Sequence, residues 1–359
     1  MTFRKRPPSD PPLSMALAGW GLAGLLLGGG SLQAGTTGAA FLKPNPSVRS
    51  QALGNVTPAA QGAQAVGANP AMVDPASSKG ELYTSFFQTW EESNNAQMAY
   101  AHNLNSRLAW GLSVAVSDSG SSEGTDLHGQ PTGQTATSQN GTLTGALAKE
   151  MKRGVRVGAA ARVFQSTLAD NQSDLGWSAD LGATAQSKHF LLGVSAHQLG
   201  PGLTYVEQRD PLPSSIKVGL AWTSGPISVM GGYHTSLADD ESEGAIGMEY
   251  RLKILAFRAG LKNQFGEDED LAQTSASETA FLDNTTLGFG LSLPNNLKLD
   301  YAFSQTAPDW GASHSAALTW AWGKRPVPPK PPRKLAPRTG PKPSSPSKNP
   351  APPRQKLKQ

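Results

Sequence analysis

The sequence predicts an all-β fold: a transmembrane antiparallel up-and-down β-barrel of about 14 strands, preceded by a plug-like segment and followed by a disordered tail. Three observations carry this expectation. Large apolar residues alternate with small ones at period two, the small-residue face is only mildly polar, and short connections alternate with long ones.

Alternation is clearest at Ile216, Val218, Leu220 and Trp222, with Lys217, Gly219 and Ala221 between them. The stretches from Leu287 to Leu293 and from Leu297 to Phe303 repeat it, as do Leu108, Trp110, Leu112, Val114 and Val116. Residues two apart on a strand share a face, so each run has one apolar side. The other side is Gly, Ala, Ser and Thr with a few ions. A soluble sandwich would carry many charges there, whereas a narrow lumen packed by side chains needs small, mildly polar ones. Charged residues are only 16% of the 359 residues, low for a soluble domain. No mature stretch is apolar for the ~18 residues a membrane helix needs. A mean hydropathy of −0.36 is compatible with membrane strands, because alternation averages it down.

The alternating runs lie near 81–90, 96–104, 107–118, 141–151, 154–168, 174–187 and 189–199, then 213–224, 226–236, 243–252, 255–266, 285–294, 297–306 and 313–322. Asn105-Ser106, Lys152-Arg153, Lys188, Gly225, Lys253-Ile254 and Asn295-Asn296 make short connections. Residues 119–140, 200–212, 237–242 and 267–284 make long ones. Short periplasmic turns and longer external loops are the outer-membrane arrangement, and an even strand number puts both termini in the periplasm. Tyr83, Trp90, Tyr100, Trp177, Tyr233, Tyr250, Trp320 and Trp322 stand near strand ends, and some of them are expected to form interfacial girdles. Trp320 and Trp322 also give the last strand the aromatic ending of a barrel-terminal insertion signal.

The two ends read differently. Arg4, Lys5 and Arg6 precede an apolar stretch from Met15 to Leu27, too short for an anchor, so residues 1–34 read as a signal peptide cleaved after Ala34 or after Ala40. Residues 35–79 form the plug segment and 80–323 the barrel. Ala59 to Ala71 suggests a short helix, and Asn69-Pro70 a turn. Residues 324–359 hold 11 Lys/Arg and no acid, so the net charge of +4 conceals a body near −9. That Pro-rich tail has too little to bury to offset its ordering entropy. It is either solvated or drawn to an anionic partner such as peptidoglycan or lipid headgroups. Nucleic acid is not expected, since the tail has no aromatic to stack on a base.

Chemistry is sparse. There is no cysteine, the six histidines lack metal-ligand spacing, and no nucleophile elbow or phosphate loop occurs. No enzyme activity, metal or cofactor is expected. Glu249, Arg258, Lys262, Lys298 and Asp300 fall on the lumenal phase and are expected to pair with one another, because a lone buried charge is too costly. The runs Asp239-Asp240-Glu241-Ser242-Glu243 and Glu267-Asp268-Glu269-Asp270 could hold calcium but lack a Gly-punctuated loop, and read as solvated external loops.

Several segments in order resemble the PorV/PorQ family, similar in fold to the FadL transporters. They are Ala40-Phe41-Leu42-Lys43-Pro44 to Arg49, Asn69-Pro70-Ala71, Asp180-Leu181-Gly182-Ala183, Leu199-Gly200-Pro201 with Leu212-Pro213, Gly247-Met248-Glu249-Tyr250 and Phe257-Arg258-Ala259-Gly260. Leu299-Asp300-Tyr301-Ala302-Phe303 and Gly311-Ala312-Ser313-His314 complete the series over roughly residues 38–323. Gln198 and Met72 depart from it, and the tail is no part of it. The resemblance implies a 14-stranded barrel with its N-terminal segment in the lumen, which makes Phe41, Leu42, Arg49, Asn69 and Pro70 plug or gating candidates. It also implies a non-enzymatic docking or shuttle role in type IX-like export, with secretion proteins or cargo as partners. The alternatives are a FadL-like channel for small hydrophobic compounds and an outer-membrane anchor using the basic tail.

Overall fold

The computed structural model describes residues 37–88, 93–125, 130–168, 172–205, 208–239, 241–265, 284–305 and 312–327. The signal sequence, Trp90, the Glu267-Asp268-Glu269-Asp270 run and the tail beyond Val327 lie outside the described residues.

Fourteen strands close a barrel. The first seven are β1 (Ser78–Gln88), β2 (Asn94–Asn103), β3 (Leu108–Thr125), β4 (Pro131–Lys152), β5 (Val155–Leu168), β6 (Gln172–Gln186) and β7 (Phe190–Leu199). A small separate hairpin follows, β8 (Leu203–Tyr205) with β9 (Gln208–Asp210). The wall resumes with β10 (Ser215–Ser224), β11 (Ile227–Ser236), β12 (Ser242–Leu252) and β13 (Leu255–Phe265). It finishes with β14 (Thr285–Leu293), β15 (Leu297–Gln305) and β16 (Ala312–Lys324). Each wall strand pairs antiparallel with its neighbour, and β16 returns to β1 with Leu82 opposite Trp320 and Gly80 opposite Trp322. Closure gives every wall strand a partner on each side, as hydrocarbon demands, with a local interruption between β6 and β7.

Alternation assigns the faces. Phe86, Leu147, Trp177, Leu220, Ile246 and Phe257 are each at least half exposed, and point outward. A band this apolar would be a liability in water and is what lipid requires. The opposite phase of the same strands is buried and mostly Ser, Thr, Ala and Gly. Short turns gather at one mouth. Lys253, Asn295 and Asn296 take φ of +52°, +62° and +59° there, a region Asn tolerates better than most residues. Tyr100 packs against Trp110 and Trp322 at this end, with ring centroids 5.2 and 5.8 Å apart.

Several expectations need correction. Residues 119–140 are not a free loop. β3 and β4 pair as far as Thr125 and Pro131, well past the reach of β2 and β5, and so form a projecting hairpin. The 200–212 connection carries β8 and β9. Tyr83 belongs to no girdle; it is fully buried on the lumenal phase. In place of one helix from Ala59 to Ala71 there are three separate 3₁₀ turns, Thr57–Ala59, Gly62–Ala65 and Pro70–Met72. Small residues there leave too little side-chain packing to extend a helix, and Pro70 can only open one.

Residues 37–77 run through the lumen. Gly38 donates its N–H to Pro211 O (2.9 Å) at the long-loop mouth, while Pro75 and Ser78 carbonyls accept from Asn103 at the short-turn mouth. The described chain therefore begins at one mouth and leaves, at Arg325, by the other.

Candidate functional site

The lumenal segment has a fixed lower part and a lighter upper part. In the lower part, Ser47 caps a single helical turn, α1 (Val48–Gln51), by accepting from the Ser50 N–H at 3.2 Å. The Tyr83 hydroxyl accepts from Val48 N–H (3.0 Å) and donates to Pro46 O (2.9 Å), tying the turn to β1. Asn69 accepts from Ala71 N–H (3.0 Å), and its amide donates to Val194 O (3.4 Å). The segment lies against inward glycines of the wall. A methyl group at Gly111 would fall 2.6 Å from Val66, and at Gly247 2.5 Å from the Leu53 carbonyl. At Gly158, Gly182 and Gly219 the obstructions would be Pro70, Asn69 and Pro58. Only glycine lets the plug backbone come this close.

Arg49 reaches the wall as a fork, its Nε and Nη2 at 2.8 and 2.9 Å from the two oxygens of Glu249. Arg258 Nε lies 2.8 Å from the same carboxylate, and its Nη1 2.7 Å from Asp300; Arg251 adds a third guanidinium at 2.6 Å. Glu249 is fully buried. Of the expected lumenal network, Glu249, Arg258 and Asp300 come together. Among the described residues Lys262 and Lys298 make no ion pair; Lys298 is exposed near the short-turn mouth. Arg49 and Arg251 take their places. At the exit, Asp74 lies 2.6 Å from Arg156 and 2.8 Å from Arg325, and Arg325 also donates to Ala76 O (3.1 Å). Burial pushes the Asp74 carboxyl up to about 6, against the pull of the two arginines.

The upper part is lighter. Lys43 pairs with Asp239 (3.1 Å) and Glu241 (3.3 Å), so that acidic loop is not merely solvated. Leu42 is buried with Ala39, Phe164, Leu203 and Leu212, and Phe41 meets Phe164 edge-on at 5.9 Å. The wall is incomplete beside this cluster. β6 pairs with β7 from Gln186 to Leu181 and, past a register shift, at Ala179, leaving residues 172–178 without that neighbour. Leu203 from β8 packs over Gly176 behind the gap. Gln198, in a left-handed conformation at φ +51°, falls within this shift, before the last pair Leu199–Ala179; its N–H donates to Asp180 (2.8 Å) and its side chain to Leu42 O (3.2 Å).

Two adjoining cavities lie on the β1–β5 side. The inner one, about 70 Å³, is lined by Phe41, Phe87, Gln97, Ser113, Thr144 and Arg162 among others. The outer one, about 520 Å³, opens at the long-loop mouth and shares Asn95, Ala96, Val116 and Ser117 with it. Phe87 and Phe164 were missed in the sequence, although each breaks alternation: Phe86-Phe87 and Val163-Phe164 place an apolar residue on the lumenal phase.

Ser195, His197 and Asp180 have the connectivity of a hydrolase triad, with Ser195 Oγ 2.8 Å from His197 Nε2 and His197 Nδ1 3.6 Å from Asp180. The serine is 2% exposed, and Asp180 is already held by Arg162 (3.0 Å) and the Gln198 N–H. No substrate can reach this hydroxyl, and the group serves to pin β6 to β7. Trp320 and Trp322 sit in β16, with Trp322 packed over Gly80 at the closure seam. Among the described residues no cluster of three metal-binding side chains occurs.

No family model matches the chain, and no curated protein is similar to it in sequence. Solved structures are similar in fold. The toluene transporter TbuX of Ralstonia pickettii aligns at TM-score 0.57 and 15% identity, over 77% of this chain and 98% of its own. The toluene transporter TodX of P. putida aligns at 0.56 and 13%, over 78% and 99%. A Pseudomonas aeruginosa FadL homologue aligns at 0.52 and 12%, again over 78% and 99%. The chain thus has the fold of FadL-type outer-membrane barrels; the PorV/PorQ resemblance finds no counterpart among these structures.

Proposed function

We propose that this protein is an outer-membrane channel for small hydrophobic compounds, gated by the upper part of its lumenal segment. One observation carries the reading: the lumen is stoppered below, yet above the stopper it holds two adjoining cavities, the inner one lined by Phe41, Leu42 and Phe87, beside the apolar cluster of Phe41, Leu42, Phe164, Leu203 and Leu212. A porin for polar solutes needs a continuous wet path, and a docking barrel needs no internal chamber. The docking role implied by the PorV/PorQ resemblance has no comparable feature in its support. The structures similar in fold are described as toluene transporters and a FadL homologue, which favours the channel.

The geometry suggests a route. Continuing straight down would require expelling a plug wedged against wall glycines and held by buried ion pairs. Shifting Phe41 and Leu42 would uncover the cluster beside the interrupted β6–β7 pairing, where Leu203 of β8 packs over Gly176. An apolar solute loses nothing by leaving into hydrocarbon there.

The test is uptake of labelled toluene into vesicles whose outer leaflet is lipopolysaccharide, which slows unaided entry. The barrel should accelerate uptake several-fold, and Phe41→Asp should abolish the gain. Uptake no faster than in protein-free vesicles would overturn the proposal.

A further inference from the structure

The inner cavity is not the lining a pure hydrocarbon would select. Phe41 and Phe87 contribute apolar lining, but Gln97, Ser113 and Thr144 line it as well. Gln97 is 6% exposed, and its side-chain oxygen has no hydrogen-bond partner within the protein. A buried amide left unmade costs free energy, and a ligand that satisfies it gains what the protein alone forfeits. Arg162 also lines the cavity, but its charge is spent: Nη2 lies 3.0 Å from Asp180, and Nε donates to Thr144 at 3.3 Å. An anionic head group would enter a site already neutral and lose its hydration without a counter-charge.

We infer that this cavity takes a small neutral molecule with an aromatic ring and a single hydroxyl, of the phenol class, the ring between Phe41 and Phe87 and the hydroxyl on Gln97. A hydroxyl is suited to either face of the amide, since it donates to the oxygen and accepts from the nitrogen. The outer cavity, which shares Asn95, Ala96, Val116 and Ser117 with the inner one, lies on the approach for such a molecule from the long-loop mouth. This inference rests on the channel reading and narrows it, from hydrophobic compounds at large to those with one polar end.

Three ligands of matched shape decide it: 4-methylphenol, toluene and 4-methylbenzoate, titrated calorimetrically into the full chain in detergent at neutral pH. The first should bind at least tenfold more tightly than either of the others, because a site built for a hydroxyl discriminates against the analogue that lacks it. Gln97→Met keeps the side-chain length and should bring 4-methylphenol down to the level of toluene. Equal binding of 4-methylphenol and toluene by the unmodified protein would overturn the inference without reference to any variant. Tightest binding of 4-methylbenzoate would overturn it as well, by making Arg162 an anion receptor. So would a Gln97→Met protein that keeps the original preference. The two proposals can fail separately. If none of the three binds while toluene uptake is still accelerated, the cavity assignment falls and the channel stands. If 4-methylphenol binds with the expected preference but no solute crosses faster, the binding site stands and the channel falls.

Discussion

Residues 37–46 and 47–75 are one continuous stretch inside one barrel, yet they are held by different physics. The lower stretch is buried almost throughout, pressed against glycines and fastened through Arg49, Tyr83 and Asn69. The upper stretch is mostly half-buried, and its ion pairs engage an exposed Lys43. Buried, geometrically constrained contacts break only at large cost, whereas exposed ion pairs are worth little. A barrel built this way is permanently stoppered below and adjustable above. On the proposed channel reading, opening a path for a solute need disturb only the upper ten residues.

The largest test strikes the lower anchor. Glu249→Gln leaves Arg49, Arg251 and Arg258 around a neutral amide, and removing one partner from a buried ionic cluster costs roughly 3–5 kcal/mol. Hydrogen exchange of the 48–73 amides in lipid should accelerate by two orders of magnitude or more, with the wall strands unchanged. Unaltered protection would mean that the glycine contacts alone hold the plug. Next is Gly158→Val, which places a branched side chain where the Pro70 backbone now lies. Overpacking of this kind costs about 1–3 kcal/mol. The 3₁₀ turn at Pro70–Met72 should become accessible to protease, while Phe41 and Leu42 stay in place.

The sequence disclosed the wall better than its contents, for a physical reason. A strand between lipid and lumen must alternate, so period two in Ile216–Trp222 or Leu297–Phe303 marks both strand and face. Packing against a plug leaves a weaker mark. Gly158, Gly182, Gly219 and Gly247 share the lumenal phase, but a glycine there reads equally as spare room. Glu249, Arg258 and Asp300 could be paired on phase alone, whereas Arg49 needed the path of the irregular segment, which has no period to extrapolate. Phe87 and Gln97 could not be joined from the sequence, because their cavity is completed by Phe41, a residue outside the strand pattern.

A pH test addresses where the lower stretch ends. Burial raises the Asp74 carboxyl to about 6 from an ordinary 3.8, with Arg156 and Arg325 opposing the rise and Glu150 adding to it. The folded state thus holds this proton more firmly than the unfolded chain. The resulting stabilisation is complete below about pH 4 and is lost as pH climbs through about 6. Between pH 5 and 7.5 the exit should weaken by about 1 kcal/mol. Exchange of the Val73–Ser77 amides, referred to Asp74→Asn at each pH, should show this dependence and the variant should not. A flat ratio would place the carboxylate firmly inside its two ion pairs.

The smallest expected effect bears most on function. Lys43→Ala removes both contacts to Asp239 and Glu241, pairs exposed enough that together they are worth about 1 kcal/mol or less. Global stability should hardly move. Between Thr37 and Pro44 the upper segment is otherwise held by the Gly38 to Pro211 bond, the Thr37 bond to Asp239, the Gln198 bond to Leu42 O and the burial of Ala39 and Leu42. A loss that is trivial for the barrel is therefore a large fraction of what closes it. Toluene uptake should rise by up to several-fold, and protection of the 48–73 amides should be unaffected. High salt should reproduce the effect in the unmodified protein by screening the same pairs, and should add nothing to Lys43→Ala. If uptake is indifferent to both, the upper segment is as fixed as the lower one, and the division between a permanent stopper and a movable cover is wrong.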